Sequence, residues 1–76
     1  MEATYCENML DWFGDADVSV IDAGWTDNSE IIVSLEYGSF NIDSTAEMLA
    51  DIIEAHDYEV LDFNTNGRNV YIFEVV

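Results

Sequence analysis

Carboxylates are the side chains most able to do chemistry in this chain. It has seventeen acidic residues but one cysteine and one histidine. Two carboxylates can serve as general acid and general base when their surroundings separate their pKa values. So many carboxylates in 76 residues form close pairs by chance, and the sequence indicates no apolar cleft that would raise one pKa. We therefore predict that the protein is not an enzyme and has no catalytic residues.

Cys6 and His56 do not form a convincing nucleophilic pair. They fall on different predicted helices, and a Cys–His pair would also need a third group to orient the histidine. Cys6 suits a small core position, and His56 suits the last turn of a helix, where a donor meets exposed carbonyls. A single cysteine excludes an internal disulfide and fits a reducing cytoplasm.

A dedicated metal site is not predicted either. Asp15 and Asp17 resemble the start of a calcium-binding loop, but Thr26 stands where an EF-hand loop needs its bidentate glutamate. The chain has no set of zinc ligands. We expect neither a metal nor another cofactor.

The acidic residues of the second predicted helix have a regular spacing. Glu47, Asp51 and Glu54 stand at i, i+4 and i+7, so they form one stripe, which Asp43 and Asp57 extend. Four helical positions advance about 6 Å, and duplex DNA has a phosphate about every 3.4 Å along each strand. The stripe could imitate phosphates towards a groove lined with lysine and arginine, or it could be a solvated helix face.

The predicted partner-binding residues are the acids of this helix and of the first hairpin: Asp43, Glu47, Asp51, Glu54, Asp57, Asp27, Glu30 and Glu36. Among the aromatic side chains, Trp25 and Tyr58 are candidates for anchoring a partner.

Hydrophobic periodicity gives the elements that would position these residues. In the first half we predict a helix ended by Gly14, two strands joined by a hairpin, and a short third strand: Ala3–Phe13, Val18–Ala23, Glu30–Tyr37 and Phe40–Ile42. The hairpin turn is predicted over residues 24–29. Side chains of the second strand point alternately to its two faces, which places Ile31, Val33, Leu35 and Tyr37 together on the buried face.

In the second half, Ser44 and Glu47 match a capping box that begins a helix at Thr45–His56. Ala46, Leu49 and Ile53 form its core stripe. Two further strands flank the Asn66-Gly67 turn signal, over Glu59–Asn64 and Asn69–Val76.

These elements predict one α+β domain over residues 1–76, with the order α-β-β-(β)-α-β-β. Its antiparallel sheet would have four to five strands and pack against two helices. The sequence does not indicate the order of the strands across the sheet. The last two strands are apolar on both faces, so the protein could be a monomer or a homodimer.

Charge is the most unusual feature of the composition. The net charge is −16, and Arg68 is the one basic residue other than His56, yet half of the residues are apolar. The chain is therefore too hydrophobic to be a disordered acidic tail. Binding to nucleic acid or to an anionic membrane surface is excluded because both require basic residues. No segment is apolar enough to span a membrane or to act as a signal peptide, and we expect a cytoplasmic protein.

Two causes could maintain such a charge: a strongly basic partner or adaptation to high salt. Six asparagines and seven isoleucines favour the partner, because a salt-adapted chain should be poor in both. With its small size, its lack of lysine, and a hairpin running through Asn41-Ile42-Asp43-Ser44 into an acidic helix, the chain resembles the DNA-mimicking inhibitors of bacteriophages. This group includes anti-CRISPR and anti-restriction proteins.

The resemblance implies an inhibitor that occupies the DNA groove of a host defence nuclease, a CRISPR effector subunit before a restriction enzyme. The alternative is a small structural or interaction domain from a halophile.

Overall fold

A computed structural model describes residues 9–38 and 41–76. Over these residues the chain forms an α+β fold with one four-stranded antiparallel sheet, one α-helix and a short 3-10 helix. The strands are β1 (Val20–Trp25), β2 (Glu30–Leu35), β3 (Val60–Thr65) and β4 (Val70–Val75), and the helix is α1 (Ile42–Glu54). The order across the sheet is β1-β2-β4-β3. The α+β class and the antiparallel sheet are confirmed, but the second helix and the fifth strand are not.

The hydrophobic core lies between one face of the sheet and the two helical segments. Ile31, Val33 and Leu35 of β2 are buried there with Tyr71 and Phe73 of β4. The helical segments contribute Met9, Phe13, Ala46, Leu49 and Ile53 to the same cluster. We call this side of the sheet the core face. The opposite side is the open face, because α1 and the 3-10 helix both pack on the core face.

The first predicted helix is replaced in the described residues by a 3-10 helix over Met9–Phe13. Its last turn is closed by the amide of Gly14, which donates to the carbonyl of Asp11 at 3.2 Å, three residues back. Met9 and Phe13 point into the core and Trp12 packs against it, so this segment is helical as predicted, but it is a 3-10 helix. The remainder of the prediction, residues 3–8, lies outside the described residues.

In the first hairpin, β1 lies two residues further along the chain than predicted, whereas β2 begins at Glu30 as predicted. Gly24 and Trp25, expected in the turn, belong to β1, where Trp25 pairs with Ile31. The turn is closed by the amide of Thr26, which donates to the carbonyl of Glu30 at 2.7 Å. Ser29 adopts a positive φ of 64° that reverses the chain. The Oγ1 atom of Thr26 also accepts hydrogen bonds from the amides of Asn28 and Glu30, so the turn is confined to residues 26–29 and strand pairing extends to Trp25.

The buried face of β2 was predicted correctly for Ile31, Val33 and Leu35 but not for Tyr37, which is 72% exposed. The strand ends at Leu35 rather than Tyr37. Its neighbour β4 begins at Val70, and Leu35 already donates its amide to the carbonyl of Asn69 in the turn before β4. Beyond that point the chain has no partner on the β4 side and keeps only one bond on the β1 side, from the amide of Glu36 to the carbonyl of Ser19 at 2.8 Å, so the alternation of side chains stops.

The helix α1 begins at Ile42, three residues earlier than predicted. Its N-cap is Asn41, whose Oδ1 accepts a hydrogen bond from the amide of Ser44 at 3.0 Å. Ser44 is therefore inside the helix, and the predicted capping box is wrong. Ile42, predicted to lie in a third strand, is helical, and Phe40 is outside the described residues. Asparagine caps a helix as well as serine does, which is why two cap signals three residues apart compete.

The C-terminal end of α1 is also earlier than predicted. The helix ends at Glu54 instead of His56, with Ala55 as its C-cap. Asp57 then adopts a positive φ of 74°, a left-handed conformation that turns the chain towards β3. The predicted core stripe Ala46, Leu49 and Ile53 is fully buried, as expected.

The second hairpin forms around Asn66-Gly67, as predicted. Gly67 takes a positive φ of 80°, whereas Asn66 does not. Asn66 stabilises the turn through its side chain. Its Oδ1 accepts hydrogen bonds from the amides of Arg68, Asn69 and Val70. β3 has the predicted length but lies one residue further along the chain, at Val60–Thr65, and β4 is one residue shorter at each end than predicted, at Val70–Val75.

Candidate functional site

The acidic stripe of α1 faces solvent. Glu47, Asp51 and Glu54 are all exposed, and so is Asp43 in the first helical turn. The buried positions of α1, including Leu49 and Ile53, lie on the opposite side of the helix. From Asp43 to Glu54 the stripe extends roughly 16 Å at 1.5 Å per residue. The structure therefore brings together four of the five acidic residues predicted for this surface.

Two members of the predicted stripe have local structural roles. The Oε2 atom of Glu54 accepts a hydrogen bond from the amide of Val60 at 3.3 Å, which ties the end of α1 to the first residue of β3. Asp57 lies beyond the helix, in the left-handed turn, and so does not continue the stripe as a helical residue. The side chains of Glu47 and Asp51 have no hydrogen bond to described residues, and they are the central members of the stripe.

A shallow groove runs beside the stripe and contains two acidic residues that sequence reasoning did not assign to a partner surface. Asp15 and Asp17, in the loop after the 3-10 helix, line this groove together with Glu47 and Asp51. Four carboxylates thus border one groove. The Asp-X-Asp spacing was noticed as a fragment of a calcium loop, but nothing in the sequence showed that this loop lies against α1.

The predicted hairpin acids are not on the same surface as the stripe. Asp27 is exposed in the β1–β2 turn, and Glu30 begins β2 at the same end of the sheet. Glu36 follows the last residue of β2, about 20 Å from Glu30 at roughly 3.4 Å per residue. The eight predicted residues therefore occupy at least three separate places.

The strand register creates a second acidic feature, on the open face. Glu74 of β4 pairs with Glu30 of β2 on one side and with Asp62 of β3 on the other. Neighbouring strands are about 4.8 Å apart, so three carboxylates lie side by side across three strands. We call Asp62, Glu74 and Glu30 the carboxylate row. Directly opposed like charges destabilise a sheet, and these residues are not needed for the core.

An aromatic patch lies where α1 leads into β3. The ring of Trp12 stacks on His56 with centroids 4.1 Å apart and planes 7° apart. Tyr58 contacts Trp12 at 5.9 Å and meets Trp25 edge to face at 5.3 Å. Trp12 and Tyr58 also pack against the core, whereas His56 and Trp25 are exposed. The aromatic patch (Trp12, His56, Tyr58, Trp25) contains both aromatic residues predicted to anchor a partner.

The structure describes only one of the two residues considered as a nucleophilic pair. His56 is engaged in stacking on Trp12, and Cys6 lies outside the described residues. Within residues 9–38 and 41–76, no group of three or more His, Cys, Asp or Glu side chains is placed to hold a metal ion. Neither helical segment of that region has the length and apolarity needed to cross a bilayer.

Comparisons with protein-family models, with curated proteins and with solved structures find no match to this chain. The function must therefore be argued from the surface itself. The surface offers an acidic helix with a groove of carboxylates beside it, a carboxylate row on the open face, and a half-exposed aromatic patch.

Proposed function

We propose that this protein is an acidic DNA mimic that binds the Lys/Arg-lined nucleic-acid site of a partner protein and blocks DNA from entering it. The observation that carries the proposal is the exposed stripe of α1, in which Glu47 and Asp51 border a groove with Asp15 and Asp17. Arg68 is the only lysine or arginine in the chain, so most of these carboxylates have no internal cation. A basic partner would supply the missing charges.

Electrostatics supports competition with DNA rather than binding to DNA. A chain with net charge −16 repels phosphates, but it is steered towards the same basic surface that attracts them. The favoured setting is inhibition of a CRISPR effector by a bacteriophage, followed by inhibition of a restriction enzyme. Association should be fast and should weaken as salt increases.

The test is a competition assay in which labelled DNA, a CRISPR effector or a restriction enzyme, and this protein are mixed at about 0.15 M salt. The informative variant is Glu47→Gln with Asp51→Asn, because it removes two charges from the centre of the stripe. Asp43 and Glu54 are left unchanged, since Asp43 stabilises the helix N-terminus and Glu54 binds the amide of Val60. Close interfacial charge pairs couple by at least about 1.5 kcal/mol each, so the double variant should bind at least roughly 100-fold more weakly.

The matched control removes two charges from the open face, by Asp22→Asn with Glu74→Gln. Both residues are exposed and lie on the side of the sheet away from α1. The control should inhibit like the unchanged protein. If the two double variants inhibit equally well, α1 is not the binding surface. If neither CRISPR effectors nor restriction enzymes lose DNA binding when the unchanged protein is added, the mimic proposal fails.

A second candidate function rests on the spread of the acidic residues. Carboxylates lie on the open face, in the hairpin turn and beside α1, and salt adaptation would distribute charge in this way. In that case the protein is a small structural or interaction domain whose acidity is a response to molar salt. Circular dichroism across a potassium chloride series separates the two: a salt-adapted domain should be unfolded in dilute buffer, whereas a DNA mimic should be folded at about 0.15 M salt.

A further inference from the structure

The aromatic patch includes an exposed ring, that of Trp25, which packing of the core does not require. Trp12 and Tyr58 pack against the core, but Trp25 remains 48% exposed at the end of β1. The edge-to-face contact with Tyr58 at 5.3 Å, with planes 65° apart, orients the Trp25 ring. A large aromatic ring that is held in place and half exposed is a typical centre of a binding hot spot.

Two acidic residues lie close to this patch along the chain. Asp27 lies two residues after Trp25 in the β1–β2 turn, and Asp57 stands between His56 and Tyr58. Asp27 and Asp57 are both exposed. The surroundings thus favour a ligand that is positively charged and has a flat face able to stack on an indole ring.

Arginine fits both requirements better than lysine does. Its guanidinium group is planar, stacks on aromatic rings and binds a carboxylate through two parallel hydrogen bonds. The lysine ammonium group is a compact and strongly hydrated charge that gains less from a flat ring. We propose that the aromatic patch is an anchor site for an arginine side chain of the basic partner, seated on Trp25 beside the carboxylates of the neighbouring turns. This inference rests on the proposed function only in taking the partner to be basic.

The patch can be tested without knowing that partner. The probe is a synthetic peptide in which four arginines alternate with glycines, and its reference is the same peptide with lysine. Both have the same charge, so non-specific attraction to the acidic chain cancels in the comparison. Titration calorimetry at about 0.15 M salt gives the affinities, and the two tryptophan indole N–H signals in NMR spectra show which ring is contacted.

We expect the arginine peptide to bind about tenfold more tightly than the lysine peptide and to shift the indole signal of Trp25. Trp25→Leu keeps an apolar side chain but removes the aromatic face, so the tenfold preference should disappear. Trp25→Phe should retain part of it. The charge control Asp22→Asn with Glu74→Gln should keep the full preference. Circular dichroism confirms that each variant is folded.

Equal affinities for the two peptides, or a preference that survives Trp25→Leu, would overturn the anchor site. The result is independent of the DNA competition assay. If DNA competition succeeds and the arginine preference is absent, only the anchor site is wrong. If the preference is present and no nuclease is inhibited, the DNA-mimic proposal is wrong and the patch binds arginine in another kind of partner.

Discussion

The carboxylate row makes a quantitative prediction about stability. Glu74 stands between Glu30 and Asp62, so Glu74→Gln removes two repulsive pairs at once. At a separation of about 5 Å, two unit charges in a water-like dielectric repel by roughly 0.8 kcal/mol. This repulsion is smaller in practice, because the side chains can turn away from each other and salt screens their charges. The repulsion energy of the two pairs together is then about 1 kcal/mol, as is typical of cross-strand pairs. Glu74→Gln should therefore stabilise the protein by about 1 kcal/mol.

For a chain of this size, 1 kcal/mol corresponds to an increase of about 4–8 °C in Tm. Glu30→Gln and Asp62→Asn each remove one pair, so each should give about half of that increase. The assay is thermal unfolding followed by circular dichroism at about 0.01 M salt and again at about 1 M salt. At the higher concentration the Debye length is about 3 Å, so roughly one fifth of the gain should remain.

The control for overall charge is Glu36→Gln, because Glu36 follows β2 and has no strand partner in the described sheet. It changes the net charge by the same amount without touching the row. If Glu36→Gln raises Tm as much as Glu74→Gln does at low salt, the gain comes from total charge and the pairwise reasoning is refuted. A gain that is undiminished at about 1 M salt would refute it as well.

Four further variants test the fold by chemical denaturation. Leu49→Ala removes a fully buried side chain of α1 and should cost about 2–5 kcal/mol. Asn41→Ala should cost about 0.5–2 kcal/mol, whereas Ser44→Ala should cost much less, because Asn41 and not Ser44 is the N-cap; equal losses would contradict this assignment. Tyr71→Phe should leave stability unchanged or raise it by about 1 kcal/mol, since the buried hydroxyl of Tyr71 has no hydrogen-bond partner among the described residues. A clear loss would indicate that the hydroxyl is satisfied in solution.

The parts of the fold that the sequence predicted correctly depend on local periodicity. The spacing of Ala46, Leu49 and Ile53 identified the buried side of α1, and alternation identified Ile31 and Val33 in β2. These patterns are repeated along the element, so a shift of its ends leaves them intact. The Asn66-Gly67 turn is equally local, because the positive φ of Gly67 is a property of one residue.

The errors lie where one part of the chain depends on another. The ends of β2 and α1 are set by where β4 begins and by which of two residues caps the helix, and neither is visible in a short window of sequence. The burial expected for Tyr37 failed for this reason, since its alternation was correct but its partner strand had ended. Competing caps at Asn41 and Ser44 moved the helix by three residues.

In the candidate site, too, local patterns were predictable from the sequence and contacts between distant segments were not. The exposed stripe of α1 was predictable because its spacing is that of a helix. The carboxylate row was not, since Glu30, Asp62 and Glu74 are distant in sequence and become neighbours only through the order β1-β2-β4-β3. Asp15 and Asp17 join the groove because the loop after the 3-10 helix lies against α1, a contact between distant segments.

Local hydrogen bonding helps to separate acidic residues that serve the fold from those free to bind a partner. Glu54 accepts from the amide of Val60, and Asp22 and Asp62 each accept from the amide of the following residue. Glu47 and Asp51 have no such bond to the described residues and contribute nothing to the core, yet they stand one helical turn apart beside a groove. Salt adaptation explains the total charge, but it does not require this regular placement. The stripe of α1 is therefore where mimicry and salt adaptation make opposite predictions, and its double variant is the decisive comparison.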